Sequence, residues 1–315
     1  MATPLVSVLL LTRNGAGTIP AVLAAIGTQE RSFPLEVVAV DSGSGDGTLD
    51  ILRSSVDRLI EIPPGAFNHG TTRNLGIDAC RAPFVVLIVQ DAEPGSPIWL
   101  SRLVAPLQED EGVAATYARQ APRPGASAVM RAYLDRYAAA AVEPRLQSLG
   151  GPDALAALTP AERLAACTFD NVCSCVRRTV WQAHPFKATR IAEDVEWARD
   201  VMLAGHCIKY VPEAVVLHSH DRPARYELMR TYLVHQRLRR LLGLAAVPSL
   251  SALARSIAVS AGAHTRWVLS APIGIESKLA QLPRALALAV AFPLGQYLGA
   301  KSADTGREYL RVRGI

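Results

Sequence analysis

The chain has 315 residues, half of them hydrophobic and 19% charged, a balance that supports a large buried core and excludes a disordered or fibrous protein. The net charge of +5 is unevenly spread: from Asp221 onward 14 Lys and Arg face 5 Asp and Glu, and the residues before it are net acidic. Five cysteines at 80, 167, 173, 175 and 207 form no C-x-x-C pair, so they offer no zinc or dithiol motif and suit reduced thiols in the cytoplasm.

In chain order, Leu5–Leu11 is apolar but has no basic residue before it and no small-residue cleavage site after it. It reads as a first strand, Val6–Leu11, and not as a secretory signal. The polar loop Thr12-Arg13-Asn14-Gly15-Ala16-Gly17 follows, then an amphipathic helix, Ile19–Ile26, opened by Thr18 with Pro20 in its first turn, and a second strand, Val37–Val40. The unit is βαβ, and a right-handed crossover brings Thr12 near Asp41. Gly15-x-Gly17 invites a dinucleotide-binding reading, but Pro20 occupies the third glycine position. No G-x-x-x-x-G-K-[ST] occurs, which leaves a P-loop without support.

Asp41 closes the second strand and is followed by Ser42-Gly43-Ser44-Gly45-Asp46-Gly47-Thr48. Such a loop can wrap a base and ribose, or it can be a plain turn in which Asp46 or Thr48 caps the helix Leu49–Arg53. A short strand, Leu59–Ile62, and a Pro63-Pro64-Gly65 break lead to Phe67-Asn68-His69-Gly70-Thr71-Thr72-Arg73-Asn74-Leu75-Gly76. Thr71 or Thr72 is expected to open a helix running to about Cys80, with Arg73 in its first turn. A guanidinium there needs an anion, either a diphosphate or a partner such as Asp41 or Asp78.

Val85–Val89 is a β-branched run between Pro83 and Pro94, short enough for a strand buried on both faces of a parallel sheet. Ligands bind beyond the carboxyl ends of such strands, so Gln90 and Asp91 face the expected site. Asp91 suits a divalent cation held against a phosphate, or else the cap of the next helix.

These segments together resemble family 2 glycosyltransferases of the GT-A fold. More narrowly, Phe67-Asn68-His69-Gly70-x-Thr72-Arg73-Asn74 with Gln90-Asp91-Ala92 is similar to bacterial rhamnosyltransferases, a likeness running from about residue 4 to residue 240. The resemblance implies an α/β GT-A fold with a central, mostly parallel sheet flanked by helices. It implies that Asp41 recognises a pyrimidine, that Thr12, Arg13, Asn14, Ser42 and Asp46 line the nucleoside site, and that Arg73 and Asn74 approach the phosphates. Gln90-Asp91-Ala92 stands where the family has an Asp-x-Asp type motif, so one carboxylate of the pair is missing and Asp91 alone holds Mg2+ or Mn2+ from this strand.

The acceptor side follows. Val113–Tyr117 is an expected strand, and Arg119-Gln120-Ala121-Pro122 after it resembles the family's sugar-pocket segment. Ala132–Val142 reads as helix, and Phe169–Arg178 as a strand exposed on one side, at the edge of the sheet. Glu193-Asp194 opens a helix, Val195–Ala204, where carboxylates complement the dipole in any protein. In the resembling family this acidic pair supplies the base, which makes Asp194 the group that deprotonates the acceptor and Glu193 its support. His206–His220 reads as two short strands ending in His218-Ser219-His220. The resembling fold often draws a metal ligand from this strand end, so His218 is the expected ligand and His220 the alternative.

From Tyr226 the composition changes. Tyr226–Leu242 is a basic helix, and Leu250–Leu269 and Leu279–Leu298 are apolar helices poor in acids. The apolar run Ala285–Leu294, broken by Pro293 and Gly295, is too short to span a bilayer. The division expected is a catalytic domain over 1–225 and a helical basic extension over 226–315, the latter suited to an anionic membrane surface or a second subunit. Nucleic acid is not an expected partner, because neither an aromatic platform nor a helix-turn-helix accompanies the basic residues. The function expected is inverting transfer of rhamnose from dTDP-rhamnose, or of a hexose from its UDP donor, to a glycan or lipid-linked acceptor. A nucleotide-sugar-binding protein without turnover is the alternative from another class.

Overall fold

The computed structural model describes residues 3–312. In chain order the elements are β1 (Val6–Thr12), α1 (Ile19–Gly27), β2 (Leu35–Asp41), α2 (Thr48–Ser55), β3 (Arg58–Glu61), α3 (His69–Ala79), β4 (Phe84–Val89), β5 (Glu93–Pro94), α4 (Trp99–Glu109), β6 (Val113–Ala121), α5 (Ala128–Leu134), β7 (Arg145–Gln147), α6 (Pro152–Ala157), α7 (Pro160–Ala166), β8 (Cys173–Arg177), α8 (Arg178–Ala183), α9 (Glu193–Leu203), β9 (Cys207–Leu217), α10 (Ala224–Leu242), α11 (Leu250–Ser270) and α12 (Ile275–Thr305). They divide into two compact units.

The first unit holds the sheet, in the order β3-β2-β1-β4-β8-β6-β9-β5, with β7 also paired to β9. β1 runs parallel to β2 and β4 in unbroken register, Leu11 opposite both Val40 and Val89, because their aliphatic runs are buried on both faces. α1 presents Ile19, Val22 and Ile26, at helical spacing, to a core that includes Val8, Leu10, Val86 and Trp99. Each such side chain contributes about 1.5–3 kcal/mol of burial.

Four expectations need correcting. β8 is not an edge strand: it lies between β4 and β6, antiparallel to both, and Cys173, Ser174 and Cys175 are fully enclosed. Its small residues reflect tight packing on both faces, not exposure. α3 begins at His69, because the Asn68 side chain caps it by accepting the N–H groups of Gly70 and Thr71, and Arg73 therefore lies in its second turn. The helix expected over Ala132–Val142 lies earlier, at Ala128–Leu134, started by Ser127, whose hydroxyl accepts the N–H of Met130. The two strands expected in His206–His220 are one, β9, in which Pro212 sits at a register shift: Ala118 pairs with Val211 but Arg119 with Val215.

The second unit comprises residues 122–136, 158–164 and the chain from Ser219. Its centre is the packing of α10 on α12, where Gly299 lies against the backbone of Tyr232 and the Tyr232 hydroxyl donates to Ser302 at 2.8 Å. Val129 from α5, Val268 from α11 and Ala285 and Leu288 from α12 form a smaller apolar cluster. No described helix is long and apolar enough to cross a membrane. The five cysteines are free thiols.

One close approach fixes the start of α3. A Cβ at Gly70 would collide with the carbonyl oxygen of Lys187, in the segment leading to α9. Gly70→Ala is therefore expected to destabilise the protein by about 1–3 kcal/mol, measured as a lower denaturation midpoint at unchanged m-value.

Candidate active site

Because β6 and β9 run in the same sense as β4 and β8 runs opposite, the carboxyl ends of β1, β2, β4, β6 and β9 and the amino end of β8 share one edge of the sheet. Thr12, Asp41, Gln90, Asp91, Gln120, His218 and Asp170 are the residues found there.

The loops after β1 and β2 are tied to each other. The fully buried Asp41 accepts the Thr12 hydroxyl at 2.8 Å, the N–H groups of Gly43 and Ser44 at 3.0 and 2.8 Å, and the Ser44 hydroxyl at 2.6 Å. Asn14, held in the left-handed region at φ 48°, accepts from the N–H of Gly45 and donates its own N–H to Ser44. Gly15 donates to the Thr48 hydroxyl, Ala16 to Asp46, and Ser42 to the carbonyl of Thr12. Hydrogen bonding to Thr48, above all, lowers the pKa of the Asp46 carboxyl. The residues expected to line a nucleoside thus build one paired loop, and Asp41 is its organiser.

Gln90 grips this loop from β4. Its Oε1 accepts the Arg13 N–H at 2.8 Å and its Nε2 donates to the Arg13 carbonyl at 3.0 Å. A two-point clamp of this kind requires one donor and one acceptor, which an ionised aspartate cannot supply.

Asp91 faces His218, with Nε2 at 3.7 Å from the carboxylate. A second chain of contacts fixes that imidazole. The Asp170 carboxylate can only accept, so the Gln120 amide turns its Nε2 to Asp170 and its Oε1 to His218 Nδ1, at 2.8 Å. His218 then carries its proton on Nδ1, leaving the lone pair of Nε2 toward Asp91. A separation of 3.7 Å suits two ligands of one divalent cation, each about 2.0–2.2 Å from it. His220 is two residues further on, and chain length alone keeps it within about 7 Å of His218. The donor set, a carboxylate and an oriented imidazole, fits Mg2+ or Mn2+. Arg119, beside Gln120, is half-buried, and its Nε has no hydrogen-bond partner among the described residues.

The acidic pair opens α9 just after Ala192, a non-glycine residue at φ 58°. The anion that Arg73 requires is Glu193, not Asp41 or Asp78: the guanidinium meets Oε1 at 2.5 Å, both side chains nearly inaccessible. Burial alone would push the Glu193 carboxyl up, but Arg73 and then His69 outweigh it and hold it below the ordinary range. Asp194 is partly exposed and behaves oppositely. Burial, then the like charges of Glu193 and Asp170, push it up to about 8. The folded state therefore holds this proton more tightly than the unfolded chain, and stability falls as pH rises from about 4 to about 8. Asn74 is engaged structurally, donating to the Phe186 carbonyl and accepting from the Trp181 ring N–H and the Phe186 N–H.

Sequence reasoning missed Asp170. It lies 21 residues upstream of Ile191, before a strand expected at the edge, and only the antiparallel placement of β8 brings it to this rim. There it holds Gln120 and the Tyr137 hydroxyl and bears on Asp194.

A mostly parallel sheet flanked by helices, with polar side chains gathered at its strand ends, is the architecture of the GT-A fold. Comparison with known proteins agrees. Residues 7–151 match the Glycosyl transferase family 2 model. It is 31% identical to the O-antigen chain rhamnosyltransferase WbaN of Salmonella anatum over 65% of this chain and 62% of that protein, less than two thirds of its length. It is 28% identical to the O-antigen chain rhamnosyltransferase RfbN of Salmonella typhimurium over 72% of this chain and 70% of that one. Among solved structures, the mannosyltransferase PcManGT of Pyrobaculum calidifontis, in complex with GDP-Man and Mn2+, superposes with a TM-score of 0.62 at 19% identity, covering 98% of this chain and 89% of that one. The fold is thus GT-A, and the sequence likeness is to rhamnosyltransferases.

The Arg73–Glu193 pair is a buried charge pair whose members depend on each other. Arg73→Met alone is expected to cost about 3–5 kcal/mol by stranding Glu193, and Arg73→Met with Glu193→Gln distinctly less. Chemical denaturation of the three proteins measures the difference.

Proposed function

We propose that the protein is an inverting glycosyltransferase that passes rhamnose from dTDP-rhamnose to a hydroxyl of a glycan or lipid-linked acceptor in one displacement. The likeness to two rhamnosyltransferases supports the sugar. One observation carries the chemistry: Asp170 bears both on Asp194 and, through Gln120, on His218, so the proton acceptor and the cation ligands belong to one constellation.

In this reading the paired loops after β1 and β2 receive the nucleoside. Asp91 and His218 would hold a Mg2+ or Mn2+ ion, which would supply positive charge to offset the negative charge developing on the departing diphosphate. Asp194 takes the proton of the acceptor hydroxyl, and Glu193, neutralised by Arg73, holds the start of α9. The partial exposure of Asp194 leaves it open to a substrate. Arg119, Gln120 and Asn74 are assigned to shaping and positioning.

Thermal shift with nucleoside diphosphates, with and without Mn2+, tests the donor, since a ligand at a hundred times its Kd stabilises by about 2.7 kcal/mol. Thymidine diphosphate is expected to raise Tm most. A preference for uridine diphosphate would move the reading to a UDP-hexose, and indifference to every nucleotide would end it.

Proton transfer to Asp194 requires its carboxylate, so kcat/KM is expected to rise with pH and level off above about 8. Asp194→Asn should abolish transfer and leave nucleotide binding intact; full turnover by that variant would sink the assignment.

Asp170→Asn has two separable consequences. Asn can donate to Gln120, freeing the amide to turn and His218 to change tautomer, so Mn2+ titrated into the protein saturated with thymidine diphosphate should bind about 10–100-fold more weakly. The same change removes a like charge from Asp194 and should move the pH midpoint down.

A further inference from the structure

The outward face of the α11–α12 hairpin departs from that of an ordinary surface helix. α11 contains no acidic residue over its 21 positions, and its exposed stripe is Ala254, Ala258, Val259, Gly262 and Leu269, interrupted only by Arg255 and Arg266 among charged residues. A surface helix normally turns charged residues of both signs to water. The connection continues the pattern, with Ile273 and Ile275 exposed, Ile275 by 65%. On α12 the stripe Leu279, Pro283, Leu286 and Val290, spaced four, three and four residues apart, is also exposed, Leu279 by 60%.

Most of the large exposed hydrophobic side chains of the described residues thus fall between Leu250 and Val290. Scattered singly over the chain they would need no explanation, but exposed apolar side chains concentrated on one helical hairpin mark a contact surface. Its charges define the partner: Arg255, Arg266, Lys278 and Arg284 stand against Glu276 alone. Arg284 is occupied with Asp221, whereas Arg255 and Arg266 are exposed.

We propose that this hairpin seats the protein on the surface of an anionic membrane, Ile273, Ile275 and Leu279 entering the acyl boundary and Arg255 and Arg266 meeting lipid phosphates. Apolar insertion combined with basic side chains is the composition of interfacial helices, and the charge of an anionic leaflet complements it. A second copy of this chain would bring the same arginines against one another, an unfavourable arrangement for the isologous interface of a dimer. No described helix is long and apolar enough to cross the bilayer, and the attachment proposed is to its surface. The inference is independent of the donor and of the catalytic base, because every residue it uses lies outside that machinery.

The test is flotation of the full chain with phosphatidylcholine vesicles lacking or containing phosphatidylglycerol. Wild-type protein should float with the anionic vesicles and be released by salt. Ile273→Glu with Ile275→Glu, and separately Arg255→Glu with Arg266→Glu, should each weaken binding by roughly tenfold or more, with Tm and nucleotide-induced thermal shift unchanged. Failure of wild-type protein to bind, equal binding by the variants, or a dimer in sedimentation velocity that the isoleucine variant dissolves would overturn the proposal.

Discussion

The unbroken parallel register of β1 with β2 and β4 is the constraint on which the site rests. Thr12 and Asp41 are opposite each other, and Leu11 pairs with Val89, so the first polar residue after each strand arrives at the same height. A slip of one residue would turn the aliphatic runs over and send Asp41 or Gln90 to the wrong face. Burial on both faces makes that slip costly, and the hydrophobic core thereby aligns the polar edge. Hydrogen bonds then refine what register sets: Asp41 ties its loop to Thr12, and Gln90 holds Arg13.

Charge is managed at this rim by keeping each acid in a different environment. Glu193 is neutralised by Arg73, Asp41 is saturated by four donors, and Asp170 receives Gln120, Tyr137 and the Val172 N–H. Asp194 has burial and two like charges against it and little in its favour, which is why its proton is held into the neutral range. Neighbouring acids with opposed shifts are the pattern expected where one carboxyl supports structure and the next handles protons.

Much of this was legible in the sequence, for reasons that can be named. Val85–Val89 announced a buried strand because β-branched residues fill a pleated surface between two layers, and Pro20 marked the first turn of α1 by chemistry local to it. The misreadings share a cause. β8 has small residues because a central position leaves no room for large ones, and the same composition describes an exposed strand. Arg73 announced a need for an anion, but its partner is 120 residues away and no local pattern encodes that distance. Asp170 carried no signal, since its importance comes from antiparallel insertion of β8 beside β4.

Gln90 gathers these strands of reasoning. Where the resembling family has an acid, this chain has an amide, and the amide performs a task that an acid could not, gripping the backbone donor and acceptor of one residue, Arg13. The exchange removes a negative charge from the edge and leaves Asp91 as the β4 carboxylate. On the function proposed above, cation binding with fewer charged ligands depends more on how well the neutral ones are oriented. The Asp170–Gln120–His218 sequence supplies that orientation, carried on β6, β8 and β9 at strand ends that the register has already aligned. Loss of one acid and rigid presentation of one imidazole are, on this view, two sides of the same arrangement.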